Sequence, residues 1–289
     1  MRISLGQMAA APDKSQNLDT IRRIASEAKE RGSELLVLPE GAMVHFGDAS
    51  HRLVDVAEPL DGTFVSGLRD VAATAGLAVV CGMFEPYDSV RVYNTVVAID
   101  GQGDLIGSYR KIHLYDAFGY SESSKIKAGD GQTLTFRLGS MTFGVMTCYD
   151  LRFPELGRQL VDGGAEAIVL PAGWVHGLLK EGHWEVLLRA RAIENTAYVL
   201  AADQVGDLYT GSSMVVDPLG VVRGRAGEGS ELLTCDITTQ RVKDARETLP
   251  CLVHRRFTVR FVDPPLGEAV VPQEVDVGVG EALGVTPIR

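Results

Sequence analysis

Cysteine is scarce in this sequence and is not arranged for cross-linking. The 289 residues contain four cysteines, which are Cys81, Cys148, Cys235 and Cys251. None belongs to a CxxC pair, and none stands with histidine at zinc-finger spacing. So few cysteines in so long a chain exclude the disulfide framework of small secreted domains, and we expect no metal site.

Basic residues are also scarce relative to acidic ones. The chain has 28 Lys and Arg against 38 Asp and Glu, which gives a formal net charge of −10. A nucleic acid or an anionic membrane surface selects a basic face on its protein partner. The charge balance therefore predicts that neither a nucleic acid nor a membrane is a partner.

Long apolar runs are missing as well. No stretch approaches the roughly 18 residues that a membrane-spanning helix needs. The opening MRISLGQMAA has the pattern of a first strand, and it lacks the charged, apolar and cleavage regions of a signal peptide. These two absences predict a cytoplasmic protein.

Strand-like and helix-like patterns alternate along the chain, which predicts an α/β protein with mixed sheets. The glycine motifs GxGxxG and GxxxxGK[ST] do not occur, so neither a dinucleotide fold nor a P-loop is expected. The expected helices are 17–31, with Asn17 as N-cap, 62–75, 154–162, 183–196 and 238–247. The expected strands are 3–8, 34–38, 77–84, 92–99, 105–109, 141–147, 167–170, 198–203, 213–216, 220–225 and 232–237. The last three of these strands are expected to form one antiparallel group.

One domain is expected over 1–261. The segment 262–289 differs from it, because it is acidic and has only a weak helix pattern. Terminal segments are commonly loose unless they are tied down. We expect this tail either to pack on a partner subunit or to be mobile.

Three predicted strands end in side chains that can do chemistry. LVLPE ends in Glu40, SYRKIHL contains Lys111, and VMTCYD contains Cys148. In open α/β sheets, ligands collect outside the carboxyl ends of the strands. We therefore expect the three side chains to share one cleft.

These three residue types together suit acyl transfer from an amide or a nitrile. A thiol is a strong nucleophile once a base removes its proton. Glu40, at the end of its predicted strand, is the candidate for that base. Lys111 and the backbone N–H of Tyr149 would stabilise the oxyanion that forms on attack. Taken singly, however, a strand cysteine is more commonly a core residue, and the two charged residues are more commonly solvated.

Two other interpretations are kept beside this one. A cysteine–histidine hydrolase would use His113, His176 or His183 as its base. A catalytically idle binding protein would use the same fold without any turnover.

Three segments taken together resemble the nitrilase superfamily of carbon–nitrogen hydrolases. They are LVLPE at 36–40, YRKIHLYD at 109–116 and MTCYDLRFPE at 146–155, and the resemblance continues in 183–204 and 212–222. It covers about residues 1–260 and is strongest to the Nit branch of ω-amidases and deaminated-glutathione amidases. The resemblance implies a four-layer α-β-β-α sandwich that pairs into a homodimer or a larger homo-oligomer. It also implies that no cofactor and no metal is used.

The resemblance also implies roles for individual residues. Glu40 matches the general base, Lys111 the oxyanion-stabilising lysine and Cys148 the nucleophile. Glu122 resembles a second glutamate that positions Lys111 and substrate. From the residues alone, the alternative is that Glu122 is an exposed loop acid.

Arg152 matches an arginine that binds a substrate carboxylate in the related carbamoylases. A guanidinium holds a carboxylate through two parallel hydrogen bonds, so this match predicts an acidic amide as substrate. The alternative is an ion pair of Arg152 with Asp150 or Glu155. The expected reaction converts the amide of a small carboxylate-bearing substrate into an acid and ammonia through a thioester. N-carbamoyl and nitrile hydrolysis are the other reactions considered.

Two loops depart from the family pattern and are expected to set substrate choice. PAGWVHG at 171–177 places Trp174 and His176 in the predicted pocket. YDAFGY at 115–120 is aromatic and places Tyr115 at its border.

Overall fold

The computed structural model describes residues 1–45 and 52–263. The α-helices in these ranges are α1 Lys14–Glu30, α2 Leu53–Val56, α3 Thr63–Ala75, α4 Pro154–Asp162, α5 Lys180–Asn195 and α6 Thr239–Thr248. The strands are β1 Arg2–Gln7, β2 Leu35–Val37, β3 Ala78–Pro86, β4 Val92–Ile99, β5 Leu105–Arg110, β6 Asp116–Ala117, β7 Tyr120–Ser121, β8 Thr135–Leu138, β9 Met141–Val145, β10 Ala167–Ala172, β11 Tyr198–Asp203, β12 Met214–Val216, β13 Val222–Arg225 and β14 Glu231–Asp236. Two short 3-10 turns, Glu122–Ser124 and Cys148–Arg152, complete the elements.

The long strands form two mixed sheets of six strands each. The first sheet has the order β14-β1-β2-β3-β4-β5, and its three central strands β1, β2 and β3 are parallel. The second sheet has the order β13-β12-β11-β10-β9-β8, and β11, β10 and β9 are parallel. The short strands β6 and β7 make a separate hairpin.

Side chains of the first sheet alternate between two apolar cores, as the period of a strand requires. Leu5 and Val37 face the second sheet, where they join one core with Val145 and the helices α4 and α5. Leu36 and Val79 face the other way and pack against α1 and α3. The helices therefore cover the outer face of each sheet, and the predicted four-layer α-β-β-α sandwich is confirmed.

The prediction that Asn17 caps the first helix is wrong. Helix α1 begins at Lys14, and the side chain of Asp13 accepts hydrogen bonds from the N–H groups of Ser15 and Gln16. Asn17 is buried inside the helix instead. Its amide bonds to the backbone of Ala11 and to the carbonyl of Met43 at 3.0 Å. Asn17 thus ties together the segments that follow β1 and β2.

Two other expectations differ from the structure. Helix α5 begins at Lys180 rather than at 183, because Leu179 stands in the left-handed region (φ 62°) and turns the chain into the helix. The last three strands do not form one group. β12 and β13 pair in the second sheet, whereas β14 crosses over and pairs with β1 in the first.

The proposed domain boundary at 261 stays a prediction. From residue 264 onwards, the predicted tail lies outside the described residues. Within the described part of the chain, no helix combines the length and the apolar character that crossing a membrane requires.

Candidate active site

Glu40 reaches the site through a close approach of two backbone segments. It follows β2 after Pro39, and the next residue, Gly41, has a φ of 60°. A Cβ on Gly82 of β3 would lie 2.7 Å from the Cα of Glu40, closer than real Cβ contacts. Glycine at position 82 therefore lets the segment with Glu40 cross the neighbouring strand.

Lys111 follows β5 and lies between two carboxylates. Its Nζ is 2.9 Å from Glu40 Oε1, and 3.0 and 2.9 Å from the two oxygens of Glu122. The three residues are at most 3% exposed. Burial alone would lower the pKa of Lys111, but the charges of Glu122 and Glu40 outweigh it and hold that pKa well above its usual value. The ammonium therefore keeps its proton.

Glu122 is not an exposed loop acid, because its side chain is buried on the 3-10 turn after β7. Besides Lys111, its Oε2 accepts the N–H of Tyr115 at 2.6 Å. Burial raises the pKa of Glu122, while Lys111 acts to lower it. This carboxylate is therefore held in one place by Lys111 and by the chain that carries Tyr115.

Asn94 is a site residue that the sequence analysis missed. Its Nδ2 donates to Glu40 Oε1 at 2.7 Å and lies 3.3 Å from Glu122 Oε1, so it fixes both carboxylates. Asn94 lies inside β4 and is 1% exposed. A lone amide in an apolar strand is the signal that points to it, since a buried polar group needs partners.

Cys148 opens the 3-10 turn after β9 with a backbone φ of 46°. A left-handed conformation is strained in a residue other than glycine, and such strain occurs at functional sites. The Sγ atom lies 3.7 Å from the carbonyl oxygen of Gly173. Burial, then the charge of Glu40 and a hydrogen bond to it, raise the pKa of Cys148 well above its usual value, although Lys111 lowers it. The resting thiol is therefore neutral and needs a base.

The turn after Cys148 is fixed by Asp150. One oxygen of this buried carboxylate accepts the N–H of Thr147 at 3.0 Å and the hydroxyl of Tyr109 at 2.7 Å. Tyr149 lies in the first turn, where N–H groups have no partner within the turn. Its N–H is therefore available to an oxyanion beside Cys148.

The three candidate histidines have other partners. His113 Nδ1 lies 2.7 Å from Asp150, and its ring stacks on Phe153. The Nε2 of His176 is 2.6 Å from the carbonyl oxygen of Asp207, and His183 lies beside Arg152. No hydrogen bond between any of these rings and Cys148 is found among the described residues, so a cysteine–histidine pair is not favoured.

The loop after β10 is held by a second buried carboxylate, which sequence reasoning also missed. Asp203 accepts the N–H of Trp174 at 2.7 Å and the hydroxyl of Thr210 at 3.1 Å. The adjacent N–H, that of Gly173, donates to Glu40 Oε2 at 2.9 Å. Burial raises the pKa of Asp203 well above its usual value. Asp203 thus orients the loop that contacts both Glu40 and Cys148.

A cavity of about 740 Å³ opens above these groups. Glu40, Lys111, Cys148 and Glu122 line it together, so the structure brings the predicted reactive residues into one site. Tyr115, Tyr149, Trp174 and His176 also line it, as do Phe118 and Lys180. The volume suits a small molecule. Among residues 1–45 and 52–263, no cluster of His, Cys, Asp or Glu is placed to hold a metal ion.

Arg152 is the one predicted site residue that does not line this cavity. Its guanidinium lies 4.8 Å from the ring centroid of Trp174, and its Nη2 is 3.5 Å from His183 Nδ1. In the described ranges Arg152 forms no ion pair with Asp150 or Glu155, and its Nε is buried without a hydrogen-bond partner. The ion-pair interpretation of Arg152 therefore lacks a supporting contact, whereas its role in binding a substrate carboxylate stays a prediction.

Comparisons with known proteins give a consistent result. A sequence model of the family described as carbon-nitrogen hydrolase matches residues 2–247. The deaminated glutathione amidase of Escherichia coli O157:H7 is 37% identical over 257 residues, which cover 89% of this chain and 98% of that protein.

Two solved structures have a similar fold. An amidase from Nesterenkonia sp. AN1 matches with a TM-score of 0.76 and 29% identity, covering 86% of this chain and 98% of that one. A variant of that amidase has been solved with acrylamide added at its active-site cysteine. A carbon-nitrogen hydrolase from Helicobacter pylori matches with a TM-score of 0.82, 23% identity and 89% and 95% coverage, and at that identity supports the fold alone.

Proposed function

Because this chain belongs to the carbon–nitrogen hydrolase family, we propose that Cys148 hydrolyses the amide of a small carboxylate-bearing substrate. The family match and the similar amidases make the protein an amidase acting on non-peptide carbon–nitrogen bonds. The proposal adds the residues and the substrate class. It rests chiefly on one observation, that Glu40 and Lys111 share a hydrogen bond inside the cavity that Cys148 lines.

The reaction begins with a neutral thiol. Glu40 takes the proton of Cys148, and the thiolate attacks the amide carbon to form a carbon–sulfur bond. The carbonyl oxygen becomes an oxyanion, which the Lys111 ammonium and the Tyr149 N–H stabilise. Glu40 suits the role of base, because it lines the same cavity as Cys148 and its charge acts on the thiol.

Breakdown of this adduct returns the proton. Glu40 protonates the nitrogen, the carbon–nitrogen bond breaks, and a thioester on Cys148 remains. A water molecule, deprotonated by Glu40, then attacks the thioester and releases the carboxylic acid. The proton held by Glu40 finally returns to the Cys148 sulfur, so each turnover consumes one water and restores the site.

Glu122 serves this sequence by positioning Lys111. When Glu40 becomes protonated, it loses its negative charge. Glu122 is then the carboxylate that remains beside Lys111. The two oxygens of Glu122, at 3.0 and 2.9 Å from Lys111 Nζ, keep the ammonium in place through that step. This supports the role predicted for Glu122 from the family.

The leaving group depends on the amide. A primary amide gives ammonia, whereas deaminated glutathione is a substituted amide and gives an amine. The deaminated glutathione amidases among the relatives support this acidic, amide-bearing substrate class. N-carbamoyl and nitrile substrates remain the alternatives, and the homodimer and the cytoplasmic location stay predictions.

Acid formation from a panel of substrates tests the proposal. The panel is deaminated glutathione, 2-oxoglutaramate, an N-carbamoyl amino acid and a simple nitrile, each with the wild type and Cys148→Ala. We expect the acidic amides to be turned over and Cys148→Ala to lose at least about a thousandfold in kcat. Acrylamide labelling is the control for an idle site, which would show no selective addition at Cys148. Turnover that survives Cys148→Ala would refute the nucleophile assignment.

A further inference from the structure

We propose that Lys180, and not Arg152, binds the carboxylate of the amide substrate. This inference rests on the proposed function, since it assumes that the cavity takes an acidic amide. Lys180 lines the same cavity as Cys148 and is 5% exposed. It was not expected at the site, because the predicted helix began only at residue 183.

Lys180 is held by aromatic side chains. Its Nζ donates to the hydroxyl of Tyr115 at 2.9 Å and lies 4.5 Å from the centroid of the Tyr115 ring. The rings of Phe118 and Trp174 are each 5.2 Å away. An ammonium has three donors, so the hydroxyl occupies one of them and two remain for a ligand.

No carboxylate among residues 1–45 and 52–263 forms an ion pair with this charge. Within the described part of the chain, Lys180 forms no ion pair, whereas the other buried lysine of the cavity, Lys111, has two. Aromatic faces attract a cation but do not replace a carboxylate. A buried charge without an ionic partner is unfavourable, and such charges are normally paired. A substrate carboxylate would supply the missing partner.

The position of Lys180 in the chain is also unfavourable without a ligand. It is the first residue of α5, and a cation at a helix N-terminus opposes the helix dipole. The preceding Leu179 is left-handed and provides no side-chain cap for the helix. An anion bound to the ammonium would offset this unfavourable interaction with the helix dipole.

The charges elsewhere in the cavity make a second cation necessary. Glu40, Lys111 and Glu122 together hold two carboxylates and one ammonium. This cluster by itself would repel an acidic substrate, and Lys111 has no free charge to offer. Arg152 is not a lining residue itself, although it contacts Trp174 and His183, which are.

Succinamate and butyramide form a matched pair of probes, because butyramide has a methyl group where succinamate has its carboxylate. Binding of both would be measured by calorimetry with Cys148→Ala, which cannot turn them over. We expect Lys180→Met in this background to weaken succinamate binding about 30-fold or more, and butyramide binding much less. Lys180→Arg should restore most of the selectivity, and Arg152→Met should weaken both probes alike.

Three results would overturn the inference. They are an equal loss for both probes in Lys180→Met, selectivity that disappears only in Arg152→Met, and no selective binding of succinamate before any change at Lys180. Hydrolysis of the same probes, measured with Cys148 intact, separates this inference from the proposed function. Cys148-dependent hydrolysis with an unchanged preference for acidic amides in Lys180→Met would leave the function standing and refute the anchor. Lys180-dependent binding without any turnover would leave the anchor standing and refute the reaction.

Discussion

The Lys111 ammonium donates to both carboxylate oxygens of Glu122, which lie 3.0 and 2.9 Å from its Nζ. The pair is buried, and Glu122 is one of the two charges that hold the pKa of Lys111 raised. Glu122 therefore determines both where the ammonium lies and the pH up to which it stays charged.

Replacing Glu122 with glutamine should lower kcat and shift the alkaline limb of the pH profile to lower pH. The sign follows from the charge, because loss of a carboxylate partner lowers the pKa of Lys111, and a neutral lysine cannot stabilise an oxyanion. We expect kcat to fall about 10²-fold or more. Rates measured from pH 6 to 10 check this: the wild type should keep its rate at the alkaline end, where the variant should lose rate, and Glu155→Gln on the exposed surface of α4 is the control. An unshifted alkaline limb would argue that Glu122 only maintains structure.

Replacing Glu40 with glutamine should separate turnover from thiol reactivity. The base is lost, so kcat should fall about 10³-fold or more. The negative charge that helps to raise the pKa of Cys148 is also lost, while Lys111 remains to lower it. Alkylation of Cys148 between pH 7 and 9, followed by mass spectrometry, should become faster than in the wild type. Slower alkylation would contradict the electrostatic role given to Glu40.

Replacing Asn94 with alanine should reduce activity without unfolding the protein. Glu40 and Glu122 lose a shared donor, and we expect kcat to fall about 10- to 100-fold through misplaced carboxylates. The free energy of unfolding should fall by about 1–3 kcal/mol. Thr95→Ala is the matched control, because the next residue of β4 donates to Glu85 outside the site at 2.7 Å. Similar activity losses in both variants would show that the effect is general to the strand.

Replacing Gly82 with alanine should displace Glu40. The new Cβ would meet backbone atoms of Pro39, Glu40 and Gly41 at 2.7 Å, and backbone cannot move aside as a side chain does. A displacement of about 1 Å at a catalytic group costs about 10²-fold in rate. Gly182→Ala, in α5 with no atom within 4 Å of the new Cβ, is the control for adding a methyl group. Wild-type kcat in Gly82→Ala would refute the close-approach argument.

The sequence predicted those parts of the site that stand in short continuous motifs. The family, the amidase class and the layered fold are confirmed. They could be predicted because LVLPE, YRKIHLYD and MTCYDLRFPE are short continuous motifs that occur together in one family. The roles of Glu40, Lys111 and Cys148 stay proposals, although the structure places all three in one cavity.

The parts that the sequence could not give depend on contacts between distant segments. Asn94 lies in a strand whose pattern is otherwise apolar, and only its neighbours across the sheet show why an amide is there. Lys180 lies before the predicted helix start at residue 183, since a left-handed leucine is not a recognisable helix start. The sequence around Trp174 does not show that its loop would bury the indole ring beside the ammonium of Lys180.

The pairing of β14 with β1 has a consequence for how this protein is made. Ile3 is paired with Cys235 in that ladder, so more than two hundred residues separate the two strands. During synthesis the ribosome completes β1 long before β14, and one edge of β1 stays open until the residues of β14 emerge. An open strand edge is a template for pairing with other chains, and contacts between remote segments form slowly. We therefore expect nascent chains that end before β14 to be the species most exposed to aggregation.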